Sequence, residues 1–158
     1  MLGDITINEV ELLNAYEVLA PHGQRELKGY LNYLLYKQYK RDAMVAVFNN
    51  KLLHNLFHSL MHIVERDEFD LPQVSRRVQQ IKELYYALFE QVHNRYSQHM
   101  EELDSSEVVL EFGRSSFSTL ERVLMGNNLD LIRYEIVNFY QEFNKLSKKR
   151  DARKIIAV

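Results

Sequence analysis

Residues 30–71 read YLNYLLYKQYKRDAMVAVFNNKLLHNLFHSLMHIVERDEFDL, with neither glycine nor proline. Apolar side chains recur at every third or fourth place, from Leu31, Leu34 and Leu35 to Leu53, Leu56, Phe57, Leu60 and Val64. That spacing lines one face of an α-helix and fits no strand. The whole chain has only Gly3, Pro21, Gly23, Gly29, Pro72, Gly113 and Gly126 to interrupt such a rhythm. An all-α fold follows: a single-domain helical bundle of five to six helices, one or two of them long. Residues 1–144 form the bundle domain in this reading, and 145–158 a basic C-terminal tail.

Working outward, a first helix is expected from about Asn8 to Leu19, ending at Pro21 and Gly23, which both disfavour helix interiors. A second begins near Gln24. Asn49 and Asn50 are the only residues able to break the long run, since asparagine favours turns and caps. The third helix then covers about 50–66, and Pro72 suits the first turn of a fourth that runs to about Met100. Asp104-Ser-Ser-Glu107 has the spacing of a capping box. A fifth helix carries Val109, Phe112, Ser116, Leu120 and Val123 on one side. Its opening Val-Val-Leu is strand-like, but an isolated strand has nothing to pair with. Gly126-Asn-Asn128 ends it, and a last helix buries Leu129, Ile132, Ile136, Phe139, Phe143 and Leu146.

Composition narrows the function classes. Apolar residues are 46% and charged residues 27%, so the chain can fill a core rather than stay disordered. Without cysteine, thiolate nucleophiles, disulfides and Cys-based zinc sites are excluded. The opening Met1-Leu-Gly-Asp-Ile-Thr6 lacks the basic region and apolar run of a signal peptide. No uncharged apolar stretch reaches the ~18 residues that span a bilayer. A cytoplasmic location is the expectation. No glycine-rich phosphate loop, Gly-x-Ser-x-Gly elbow or His-Glu-x-x-His pattern occurs, so catalysis has no recognisable machinery.

Three constellations compete as functional sites. Tyr30, Tyr33, Tyr36 and Tyr39 fan around the second helix beside Leu34 and Leu35. A helix apolar nearly all round is either buried in its own chain or meets a second one, and tyrosine suits interfaces. The second is His54-x-x-x-His58-x-x-x-His62-x-x-Glu65, joined by Glu90-x-x-His93 on the next helix. Imidazoles four apart stack along a helix and can share an ion, so His58, His62, Glu90 and His93 offer a divalent-metal site. The histidines nevertheless span roughly 80° of arc that points well away from the apolar stripe. The third is the tail, where Lys145, Lys148, Lys149, Arg150, Arg153 and Lys154 stand against Asp151 alone. Such a cluster neutralises phosphates, or simply favours a helix C-terminus.

Tyr16-Glu-Val-Leu-Ala-Pro-His-Gly-Gln24, continuing through Leu27, Tyr30, Leu31, Leu34 and Leu35 to Gln38, resembles a segment behind the DNA-binding unit of small Gram-positive bacterial regulators. There a leucine-rich helix of this kind supports dimerisation. Only fifteen residues precede it, too few for a helix-turn-helix, so the resemblance implies self-association or binding of a regulatory partner rather than DNA reading. The expected function is a non-catalytic, homodimeric interaction protein in a bacterial regulatory role, with no cofactor. A metal-binding bundle built on the histidines is the alternative, and nucleic-acid association through the tail a further one.

Overall fold

The computed structural model describes residues 7–100 and 107–156, with side-chain surroundings for 8–100 and 108–147. Six helices occupy them: α1 Ile7–Val18, α2 Pro21–Phe48, α3 Lys51–Val64, α4 Leu71–Ser97, α5 Glu107–Leu124 and α6 Leu129–Ile156. Among the described residues there is no strand, and no helix is long and apolar enough to cross a membrane. The all-α expectation holds. The chain divides into two compact units, Met1–Lys37 and Gln38–Val158, and the division falls inside α2.

Pro21 opens α2 instead of separating two helices, three residues before the expected start. Its missing N–H costs nothing in a first turn, where that donor has no intrahelical partner. Asn49 and Asn50 break the run as expected. Asn50 is extended (φ −73°, ψ 122°), and its side-chain oxygen accepts from the Leu53 amide at 2.9 Å, capping α3. Asn128 caps α6 likewise, accepting from the Leu131 amide at 3.2 Å. In the same turn Asn127, not Gly126, takes the left-handed conformation (φ 57°), which asparagine tolerates. The Asp104 capping box falls outside the described residues.

The second unit is an antiparallel four-helix bundle capped by the end of α2. Each of α3, α4, α5 and α6 packs on two of the others in the cycle α3–α4–α5–α6. Register fixes the directions. Lys82 meets Glu121 while Tyr85 meets Val109, so α4 and α5 run oppositely. His54 lies beside Phe143 while Val64 meets Arg133, so α3 and α6 do too. The α3–α4 and α5–α6 connections, 65–70 and 125–128, are short, as suits antiparallel neighbours.

Aromatic rings fill the interior. Phe57 lies 4.8 Å from Phe143 and 5.1 Å from Phe139, and Phe117 lies 5.0 Å from Phe139 and 5.5 Å from Tyr85. Most meet edge to face, the geometry ring quadrupoles favour. Phe117 was not on the expected α5 stripe, yet it is 2% exposed. Helices on both flanks of α5 widen its buried face beyond one stripe. At the other end of the bundle Arg133 donates to the carbonyls of Val64 and Arg66, each at 2.6 Å, and lies 5.5 Å from the Phe69 ring. A cation there satisfies carbonyls that the end of α3 leaves open.

Gly113 sets how closely α4 approaches α5. A Cβ at that position would sit 2.6 Å from the Tyr85 ring, and Tyr85 is fully buried with its hydroxyl donating to the Val109 carbonyl. Gly29 meets nothing within 4 Å. Both are helix-interior glycines, so alanine improves the helix propensity of each by about 1 kcal/mol. Only at Gly113 does overpacking, about 1–3 kcal/mol, oppose it. Thermal unfolding should show Gly29→Ala melting higher than wild type and Gly113→Ala melting lower; equal shifts would mean that Tyr85 yields freely.

Burial raises the Tyr85 hydroxyl well above its ordinary pKa, helped by neighbouring Tyr86 and partly opposed by the Gly113 amide. Burial likewise raises Tyr96, reinforced by its bond to Asp42, and Tyr140. Each phenol stays neutral in the fold to higher pH than in the unfolded chain. Their contribution is therefore complete below the unfolded value of about 10 and declines as pH rises beyond it. The melting temperature should fall on the alkaline side of that value, and Tyr85→Phe should flatten the fall.

Candidate functional site

Among the described residues the first unit has no core of its own. No described side chain from Asn8 to Lys37 is buried. Val10, Leu12, Leu13, Val18, Leu19, Tyr30, Leu31, Tyr33 and Leu34 are all exposed, Val18 by 87% and Leu12 by 62%. Order within the unit is local. Gln24 donates its side-chain amide to the Tyr16 carbonyl at 2.9 Å, across the joint between α1 and α2. Tyr30 stacks on Tyr33 with centroids 6.3 Å apart, and the Lys37 ammonium lies 5.5 Å from the Tyr33 ring. Of the leucine stripe of α2, Leu31 and Leu34 are exposed, and Leu27 and Leu35 are half-buried.

Five of the six proposed interface residues, Tyr30, Tyr33, Leu34, Leu35 and Tyr36, lie on this open stretch, the last two half-buried. Tyr39 does not, and its assignment to a surface is corrected. It is 0% exposed and packs edge-on against Tyr96 at 5.5 Å, with Phe89 and His93 beside it. The reason is tertiary. The end of α2 lies along α4, so Tyr39, Ala43 and Val47, four apart, become its buried face.

The histidine row divides among different neighbours. His54 Nε2 lies 2.7 Å from the Phe48 carbonyl, and its Nδ1 lies 3.3 Å from the Tyr140 hydroxyl. His58 Nε2 is 2.7 Å from the same hydroxyl. A carbonyl only accepts, so the His54 Nε2 carries a proton. In the neutral ring Nδ1 then accepts from Tyr140, whose oxygen accepts from the His58 Nε2–H. One consistent direction runs from His58 through Tyr140 and His54 to the last carbonyl of α2. His54 thereby closes that helix end, while its ring lies 4.9 Å from Phe143. His62 turns instead to Glu65, 3.4 Å away on an exposed face. A cavity of about 440 Å³ opens beside it, lined by Ile63, Arg66, Glu68, Phe69, Asp70 and Gln73.

Glu90 is exposed, and His93 packs against Tyr39 and Phe89. The proposed set of His58, His62, Glu90 and His93 is not drawn together: His58 is committed to α6, His62 to Glu65 and His93 to the end of α2. Among the described residues no three His, Asp or Glu side chains form a metal-holding group. Angular counting along α3 placed the histidines away from its core. It could not show that α6 would lie against one edge of their face. Tyr140, the hydroxyl they share, carries no local signal, being one aromatic among several on α6.

α6 runs unbroken through position 145. Lys145 pairs with Glu142 at 3.0 Å, and Ser147 donates to the Asn49 side chain at 2.6 Å. The side chains of Lys148, Lys149, Arg150, Arg153 and Lys154 lie outside the described residues.

Compared with protein-family models, curated proteins and solved structures, the chain matches none. Its function is therefore argued from its own surfaces.

Tyr140→Phe keeps the ring contacts and removes only the shared hydroxyl. The variant should fold and lose about 1 kcal/mol of stability. The His54 and His58 nitrogen resonances should both move in NMR spectra; shifts confined to one ring would break the shared network.

Proposed function

We propose that this chain is a non-catalytic helical interaction protein that self-associates through its first unit, in a bacterial regulatory role and in the cytoplasm. One observation carries the reading: nine large apolar side chains are exposed between Val10 and Leu34, and nothing there is buried. Isolated short helices are marginal in water and draw their stability from a packed apolar face. Here no side chain of that stretch is buried among the described residues.

The scale fits an interface. Nine such side chains, each open to roughly half its area, present on the order of 900 Å² per copy, about one side of a standard protein–protein contact. Exposed apolar area of this extent is material for an association site. Tyr30 and Tyr33 add rigid, amphipathic area that costs little conformational entropy to fix. The likeness of Tyr16–Gln38 to a dimerisation-supporting segment of bacterial regulators points the same way.

Light scattering on the intact protein is the test. The wild-type chain should run as a dimer. The double variant Tyr33→Glu/Leu34→Glu should run as a monomer with an unchanged helical circular dichroism signal, because both side chains are exposed. A wild-type monomer at high micromolar concentration would remove the reading.

A further inference from the structure

The polarity of the first unit is split between its two helices. Within α1 the charged residues are Glu9, Glu11 and Glu17, with no cation. Residues 21–37 of α2 carry Arg25, Lys28 and Lys37 against Glu26 alone. Two of these charges are already occupied: Glu26 lies 3.1 Å from the His22 ring, and Lys37 lies over Tyr33. Arg25 and Lys28 are exposed and make no ion pair among the described residues, and the same holds for Glu11 and Glu17. Unpaired acids thus sit on one apolar helix and unpaired bases on the other.

We infer that α1 of one copy docks on the first half of α2 of a second copy, acid against base, and that the contact is reciprocal. The inference rests on the self-association reading and specifies its pairing. Bringing two α2 helices together would oppose Arg25 and Lys28 with their own kind. Pairing two α1 helices would oppose carboxylates. Only the crossed arrangement matches sign, and like charges forced together select against the wrong pairing.

Helical geometry allows the crossed contact. At about 100° per residue, Leu27, Leu31, Leu34 and Leu35 form one stripe of α2, with Lys28 flanking it and Arg25 farther round on the same side. On α1, Leu12 and Leu19 lie on one face with Glu11 beside it by the same counting. The 12 residues of α1 span about 18 Å, within the roughly 25 Å of the open part of α2. Two-fold symmetry makes each copy both donor and acceptor of an α1, so the contact closes at a dimer and leaves no sticky end. The result is an intermolecular four-helix contact made of two α1–α2 pairs.

The experiment uses full-length protein and two charge-reversed variants, Glu11→Lys/Glu17→Lys and Arg25→Glu/Lys28→Glu, followed by analytical ultracentrifugation. Each variant alone should dimerise about 10-fold more weakly than wild type, and the wild-type dimer should loosen with added salt. An equimolar mixture of the two should recover dimer, because each reversed helix then meets its complement. Variants that dimerise as wild type, or a mixture that stays monomeric, overturn the crossed pairing while leaving self-association intact. A monomeric wild-type chain overturns both. Circular dichroism of each variant confirms that helix content is unchanged.

Discussion

Phe48 ends α2, and its ring meets one side chain from each of three bundle helices: Tyr85 of α4 at 6.2 Å, Phe112 of α5 at 5.5 Å and Phe143 of α6 at 5.3 Å. Its carbonyl accepts from His54 of α3 at 2.7 Å. A single residue is thereby joined to every helix of the bundle, by ring edges on one side and a backbone hydrogen bond on the other. Burying so large a ring removes apolar area from water, and the His54 bond prevents the helix end beneath it from being an unsatisfied polar defect. The bundle is organised around this joint.

The histidine row takes its meaning from the same place. His54 is a cap and a core ring at once, and His58 reaches it only through Tyr140. Residues that a spacing argument offers to an ion are here spent on closing α2 and fastening α3 to α6. Gly113 plays the complementary part on the opposite side of the bundle. There the absence of a side chain lets Tyr85 reach the Val109 carbonyl and remain buried beside α5.

Against this filled bundle, the first unit has the reverse composition of surface. Its leucines and tyrosines are as apolar as those of the core, yet they lie open from Val10 to Leu34. Apolar periodicity alone states that a stripe will be covered; it does not state by what. The tyrosines illustrate the difference. Tyr33 and Tyr39 belong to one helix and one sequence pattern, but Tyr33 is 56% exposed and Tyr39 is 0% exposed, packed on Tyr96 of α4.

What the chain alone determined is its local grammar. The three-to-four-residue rhythm, the asparagine caps at 50 and 128, the proline at the head of α4 and the lack of any strand among the described residues are decided by backbone sterics and by side chains bonding within a turn. Those forces act between near neighbours and are legible residue by residue. Tertiary packing decided the rest. It chose which tyrosine enters the core, committed His54 and His58 to a hydroxyl more than eighty positions away, widened the buried face of α5 to include Phe117, and left Leu31 and Leu34 of α2 exposed. Each of these depends on which helix stands opposite, and a one-dimensional pattern carries a helix's faces but not its neighbours.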